Sequence, residues 1–177
     1  MAAYRRIVTG IDAAGRSVIQ QDGPPSSILN TPGGGQIIEL WRTGTPCDLM
    51  ASIAATDAAP VAFAPLPGGT SCRVVRIPPD SRRWGAGLAA ADLFAAMGAC
   101  GARSGDQARH PGMHVTPTID YVCVIRGEIV AVMEDDEVRL APGDMLVQRA
   151  TVHAWKNETD DYAEMFVVMV GIDRETR

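Results

Sequence analysis

The second half of the chain is a succession of short runs of β-forming residues, each closed by a turn signal. The turn residues include Arg126-Gly127 and Ala141-Pro-Gly143, in which glycine or proline interrupts the extended run. Closely spaced short strands of this kind favour an antiparallel sandwich or barrel. We predict these strands over 114–125, 128–133, 137–140, 144–149, 153–157 and 162–170.

The first half carries fewer strand signals and the most convincing helix. We predict strands over 5–11, 17–21, 37–43 and 72–77, the first two joined into a hairpin by a turn that contains Gly15. Segment 44–71 is rich in Pro, Ala and Gly without a clean period, which favours a loop. Segment 86–98 is rich in Ala and has apolar residues near helical spacing, so it predicts a helix. We interpret this helix as packing over one end of a barrel, in preference to a mobile lid.

Five residues of the second half form a recognisable pattern. Asp120 is followed by six residues and Gly127, and His153 is followed by three residues and Asn157, while His114 precedes the acid. This arrangement resembles the two motifs of the cupin superfamily, which read roughly G-x5-H-x-H-x3,4-E-x6-G and G-x5-P-x-G-x2-H-x3-N.

The match to the family motifs is partial. Asp120 replaces a Glu, the paired histidines of the first motif are reduced to His114, and His114 lies one residue further from the acid than usual. In the second motif, Arg149 and Thr151 replace the Pro and the Gly. The resemblance is best over 109–170. It supports the fold more strongly than it supports the chemistry of the site.

The resemblance implies an all-β fold, the double-stranded β-helix or jelly-roll barrel, with an N-terminal β-hairpin extension and one short helix. A chain of 177 residues is about one domain, so we expect a single cupin domain over 1–177 of the small stand-alone type found in bacteria and fungi. Within it, 1–80 would hold the N-terminal strands and loops, 86–98 the helix and 109–170 the core motifs.

The same resemblance implies a metal site. Alternate residues of a strand face the same way, so a regular strand places His114, Thr116, Thr118 and Asp120 on one face. In cupins that face points into the barrel, where His114, Asp120 and His153 would ligate a divalent metal. Two imidazoles and a carboxylate suit non-haem Fe(II), and Zn, Mn or Ni would also be tolerated, so the identity of the metal stays open, as does its presence.

The remaining candidate residues surround this set. His110 is a reserve ligand, although an exposed loop histidine is the better interpretation. Asp120 and His114 are the candidate catalytic residues. We expect substrate contacts from Thr116, Thr118, Gln148 and Trp155.

Three functions remain open. The first is a metal-dependent cupin enzyme acting on a small organic metabolite of aromatic or polyketide-like type, with dioxygenase, dehydratase or lyase, and isomerase chemistry as alternatives. The second is a metal-free cupin that uses Asp120 as general acid or base, its pKa raised by apolar surroundings. The third is a small-molecule binding protein without catalysis.

Charge and hydropathy limit the partners. The formal net charge is −5 and no Lys/Arg run is concentrated, which argues against a nucleic-acid partner. No apolar run is long enough for a signal peptide or a membrane span, so a cytoplasmic protein without a membrane partner is expected. The scattered cysteines suggest neither a zinc knuckle nor a disulfide framework. By resemblance to other cupins we expect a homodimer in which the hairpin over 5–21 takes part.

Overall fold

The computed structural model describes residues 4–44, 53–85 and 87–173, and these fold into a molecule dominated by strands. Three short α-helices and two 3-10 turns, Pro32–Gly34 and Cys100–Ala102, complete the described elements. The strands are β1 Arg6–Ile11, β2 Ser17–Gly23, β3 Ile28–Asn30, β4 Gln36–Thr43, β5 Thr70–Ile77, β6 Thr118–Arg126, β7 Ile129–Val132, β8 Glu137–Leu140, β9 Met145–Arg149, β10 Ala154–Lys156 and β11 Ala163–Gly171. The helices are α1 Ile53–Ala58, α2 Asp80–Arg83 and α3 Ala90–Ala96.

Two antiparallel sheets form the body of the fold. The larger has six strands in the order β3-β4-β5-β11-β6-β9, and the smaller has three in the order β10-β7-β8. Strands β1 and β2 form a separate hairpin with a bulge between Val8 and Thr9. The predicted all-β jelly-roll class with an N-terminal hairpin is confirmed. The prediction of one short helix is wrong, because the described residues form three.

A hydrophobic core joins the two sheets. Along β11 every second residue is buried, from Ala163 through Met165 to Gly171, as expected for a strand with one face on a core. Met165 of the large sheet shares a core cluster with Ile129 and Ala131 of the small sheet. The sheets are therefore the two walls of one barrel, and the inner face of the large sheet is available to line a site.

The inner wall also holds a buried ion pair. Glu39 of β4 and Arg73 of β5 are paired in register, and Arg73 Nη2 lies 2.9 Å from Glu39 Oε2. Both side chains are almost fully buried, and Ser71 bonds to each of them. The charge of Arg73 is thus neutralised within the sheet.

Three local predictions need revision. Helix α1 lies in the segment predicted as loop, 44–71, of which 45–52 is outside the described residues. Helix α3 is shorter than the predicted 86–98; Ala86 is outside the described residues, and the helix ends before Gly98, whose φ of +66° closes it. The first motif strand begins at Thr118 instead of His114, because the chain bends at Pro117.

No helix in the described ranges combines the length and the apolar character that a membrane crossing requires.

Candidate functional site

A cavity of about 140 Å³ lies between the walls of the barrel. Strands β4, β5, β6 and β11 supply most of its floor, and Phe63, Leu93 and Phe94 cover it, the last two from α3. Most of the lining is apolar. The polar side chains that border the cavity are Thr31, Gln36, Arg73, Arg76, Arg83, His114, Thr116, Asp120 and His153.

His114 and His153 lie side by side on the cavity wall. Their backbones form an isolated antiparallel bridge, with His114 N donating to His153 O at 2.8 Å and His153 N donating to His114 O at 2.9 Å. The ring centroids are 4.3 Å apart. Phe94 packs against the His114 ring at 5.5 Å, which makes α3 the cover of this pair.

Backbone carbonyls fix the tautomer of both rings. Nδ1 of His114 lies 2.8 Å from Gly112 O, and Nδ1 of His153 lies 2.9 Å from Thr151 O. A carbonyl can only accept, so each Nδ1 carries the proton and each Nε2 keeps its lone pair. Burial lowers the pKa of His114 to about 3, with a contribution from His153, and burial lowers the pKa of His153 to about 4. Both imidazoles are neutral at pH 7.

Asp120 extends into the same cavity from β6. Its carboxyl is buried, and its Oδ1 has no hydrogen-bond partner within the described part of the chain. Burial raises the pKa of Asp120 to about 6, against the lowering effects of a hydrogen bond from Thr118 and the charge of Arg73. Thr118 in turn lies 2.7 Å from the Thr116 hydroxyl. Asp120 therefore changes its protonation close to neutral pH.

The residues of the predicted metal set border one cavity without forming a cluster. Over 4–44, 53–85 and 87–173, no three His, Cys, Asp or Glu side chains lie close enough together to hold a metal ion. The two Nε2 lone pairs of His114 and His153 suit a metal, since metal-bound histidines commonly donate Nδ1–H to a carbonyl. Asp120 does not complete the set, so the donors present fall one short of the predicted three.

His110 is held away from the histidine pair by its own hydrogen bonds. Gly112 N–H donates to His110 Nδ1 at 3.0 Å, which leaves the proton on Nε2, and Nε2 donates to Asp80 Oδ2 at 2.9 Å. Both ring nitrogens are thereby occupied. The interpretation of His110 as an exposed loop residue is corrected, because its side chain is buried.

The predicted substrate-binding residues divide into two groups. Thr116 and Trp155 line the cavity, and the Trp155 ring makes an edge contact with His153. Thr118 and Gln148 are buried but do not border the cavity, and the Gln148 amide donates to Thr151 O at 3.1 Å and to the Thr151 hydroxyl. Asn157, kept out of the predicted site as a structural residue, caps the turn that follows β10.

Arg83 is a cavity residue that the sequence did not indicate. It lies at the end of α2, it is buried, and burial lowers its pKa to about 10, which leaves it charged at pH 7. In the sequence it belongs to a dipeptide with Arg82 and has no motif around it. The available signal is the preceding Pro78-Pro79, which ends β5 and turns the chain back toward the cavity.

Comparisons with known proteins agree with this architecture. The cupin domain model matches residues 104–169. The phomopsin biosynthesis cluster proteins C′ and D of Diaporthe leptostromiformis are each 32% identical over 161 residues, which is 87% of this chain and 70% of theirs. The oryzines biosynthesis cluster protein J of Aspergillus oryzae is 45% identical over 53 residues, 27% of this chain and 30% of that protein.

Among solved structures, the cupin domain of Schizosaccharomyces pombe Cnp3 is similar at a TM-score of 0.47 and 10% identity, over 94% of this chain and 87% of that one. The family match, together with fungal relatives aligned over 87% of this chain, shows that the chain belongs to the cupin superfamily.

Proposed function

We propose that this cupin is an enzyme of secondary metabolism that moves a proton on a small, mostly apolar metabolite, with Asp120 as the general acid and base. The observation that carries the proposal is the buried Asp120 carboxyl, which borders the cavity and keeps Oδ1 without a partner in the described residues. The biosynthesis clusters named for the fungal relatives support a metabolite as substrate.

The pKa values support Asp120 over the histidines as the proton carrier. A catalytic base works best when its pKa lies near the working pH, and Asp120 at about 6 meets this condition. His114 and His153, at about 3 and about 4, are weak bases. Their role in the proposal is to accept hydrogen bonds from a substrate hydroxyl through Nε2 and so to orient it.

The reaction is an isomerisation or a dehydration, because neither consumes a co-reactant. The Asp120 carboxylate takes a proton from a substrate carbon and becomes a carboxylic acid. In an isomerisation it returns the proton to another carbon of the substrate, and the double bond moves. In a dehydration the proton leaves with the departing hydroxyl group as water.

A metal-dependent reaction is the second candidate, favoured by the two Nε2 lone pairs that the backbone carbonyls leave free. His114 and His153 would hold Fe(II), Zn, Mn or Ni there, and the metal would supply Lewis-acid or dioxygen chemistry. With two donors in place, other ligands would have to come from solvent or substrate.

Turnover with and without EDTA separates these candidates. The protein, purified without added metal, is incubated with an extract of a strain in which its gene is disrupted, and products are followed by mass spectrometry. We expect conversion of one accumulated compound that persists in EDTA and falls about 10²- to 10⁴-fold in Asp120→Asn, the usual contribution of general acid-base catalysis. The matched control, Asp161→Asn on the surface, should convert normally.

Two results would contradict the acid-base proposal. Conversion that stops in EDTA and returns with one metal, together with metal content lost in His114→Ala and His153→Ala, would establish the metal-dependent reaction. Stoichiometric depletion of a compound without any product would establish a binding protein.

We also propose that a second copy of this chain covers the outer face of the large sheet. Tyr121, Met145 and Val147 are 52%, 79% and 56% exposed there on neighbouring strands β6 and β9. The hairpin β1–β2 carries three further exposed isoleucines, Ile7, Ile11 and Ile19. Apolar side chains in such contiguous groups are typical of an association surface.

A further inference from the structure

We propose that Arg83 binds a carboxylate group of the substrate, so that the natural ligand of the cavity is an organic acid. The inference rests on the proposed function only in placing the substrate in this cavity. It adds the chemical class of the substrate and a residue that selects it.

The guanidinium of Arg83 is nine-tenths buried and makes few hydrogen bonds. Nη2 donates to Trp155 O at 3.2 Å, and the group stacks on Trp84 at 4.4 Å from the ring centroid. Nε has no hydrogen-bond partner among the residues that the structure describes. Guanidinium groups carry five donors, so Arg83 retains unused capacity at the cavity wall.

The nearest acid does not saturate Arg83. Asp80 Oδ1 lies 3.9 Å from Nε, which is an ion-pair distance but too long for a hydrogen bond. The other oxygen, Oδ2, accepts from His110. Asp80 therefore balances the charge of Arg83 while it leaves the forked donors of the guanidinium to another acceptor.

The two other arginines that border the cavity have different surroundings. Arg73 donates to Glu39, to Ser71 and to the carbonyls of Phe63 and Ala62. Arg76 lies 3.1 Å from Glu164 and stacks on a tyrosine ring. These contacts make Arg83 the better candidate for a ligand.

Gly112 contributes no side chain beside Arg83. A Cβ on Gly112 would stand 3.1 Å from Arg83 Nη2 and 3.1 Å from His110 Nδ1, closer than nearly all such contacts. Glycine at this position lets the guanidinium reach the cavity that both residues border.

A carboxylate fits this setting better than a phosphate. A guanidinium pairs with the two oxygens of a carboxylate in a fork, and such charge-assisted pairs are strong in a desolvated site. Phosphates are commonly held by several donors at a helix N-terminus or a Gly-rich loop. Here the cavity is small and mostly apolar beyond Arg83, which suits an organic acid with an apolar body.

The test compares benzoate with benzamide, which has the same shape without the charge. Affinities are measured by NMR titration of ¹³C-methyl methionine protein, because Met97, Met165 and Met169 line the cavity while Met145 is exposed on the outer face. We expect benzoate to bind at least about tenfold more tightly than benzamide, with shifts at the cavity methyls and not at Met145.

The preference should disappear in Arg83→Met and be reduced in Arg83→Lys, which keeps the charge but loses the fork. Arg82→Met is the matched control, because it removes a neighbouring exposed charge outside the cavity. It should retain the preference for benzoate. Asp120→Asn should retain or strengthen it, since that change removes a competing negative charge.

The proposal is overturned by equal affinity of the two ligands for the wild type, by an unchanged preference in Arg83→Met, or by shifts confined to Met145. If Arg83→Met does not fold, the wild type and Arg83→Lys still decide. This test measures binding, so it is independent of the acid-base proposal. If the preference for benzoate depends on Arg83 but turnover is unaffected by Asp120→Asn, only the acid-base proposal is refuted.

Discussion

The Asp120 carboxyl is held in an apolar cavity where its ionised form is poorly solvated. Burial raises its pKa to about 6, although Thr118 and Arg73 favour the charged form. A raised pKa means that the folded protein binds the proton more tightly than the unfolded chain. The raised pKa that suits Asp120 for proton transfer near pH 7 therefore also lowers the free energy of unfolding at that pH.

Asp120→Asn should therefore stabilise the protein at pH 7.5, by up to about 3 kcal/mol for a pKa raised from 3.8 to about 6. The free energy of unfolding of the wild type falls by this amount as the pH rises from about 4 to about 6, because the Asp120 carboxyl ionises at lower pH in the unfolded chain than in the folded protein. The advantage of the variant should shrink to nothing below about pH 4. Urea unfolding at a series of pH values measures it.

The control variant, Asp161→Asn, should change stability in the opposite direction. Asp161 is exposed, and hydrogen bonds from Tyr162 N–H and Arg126 lower its pKa. Asp161→Asn should lose stability above about pH 4, where the unfolded carboxyl ionises. A wild type at least as stable as Asp120→Asn at pH 7.5 would show that the carboxylate is well solvated in the cavity.

Single residues were predictable where a motif marks them. Asp120 and His153 stand at family spacings, His114 lies one residue further from the acid than usual, and all three border the cavity. Arg83 has no such mark, since it reaches the cavity through the reversal of the chain after β5, which is a tertiary event. The tautomers of the histidines were equally beyond the sequence, because they depend on two carbonyls that only the folded backbone brings near.

At the scale of elements, β4 and β5 pair two buried charges across the inner wall. Glu39 and Arg73 are register partners, each nearly fully buried and bonded to Ser71. A buried ion pair contributes little net stability, because desolvation offsets the attraction, but removal of one partner leaves an unpaired charge. The pair makes this part of the sheet intolerant of single changes.

We expect Glu39→Ala to lower the free energy of unfolding by about 3–5 kcal/mol, the usual cost of an orphaned buried charge. The double variant Glu39→Met with Arg73→Met should recover most of that loss, because it removes both charges and fills the space. Denaturant unfolding measures both.

Asp22→Ala serves as the comparison, since its partner Arg5 is exposed, and it should change stability little. A double variant as unstable as Glu39→Ala would contradict the explanation by unpaired charge.

Elements were predicted well in the second half of the chain, where short β-forming runs are separated by turn residues. Strand β8 matches its predicted bounds, and the ends of β7, β9, β10 and β11 differ from theirs by one residue. Helix α1 was missed because its residues lie in a stretch rich in Ala and Pro that lacks helical periodicity. The sequence predicted strands and their order along the chain, but the order of strands within the sheets follows from long-range pairing.

At the scale of the whole molecule, the dimer proposed above would form through the outer face of the large sheet. If a second copy covers β6 and β9, light scattering should give a mass of about twice 18.8 kDa. Met145→Glu with Val147→Glu should give a monomer, because two charges would be buried in the interface.

The comparison is Val138→Glu on β8, where an apolar residue is similarly exposed outside that face. This variant should stay dimeric. A wild type that is monomeric at all concentrations would end the dimer proposal.

The bridge between His114 and His153 is made by main-chain groups that nearly every residue type possesses. The placement of both side chains on the wall thus does not depend on what those side chains are. We therefore expect either imidazole to be replaceable by another donor, or by none, while the barrel stays intact. A barrel of this kind can acquire new chemistry through single substitutions at these two positions, because only the side chains change.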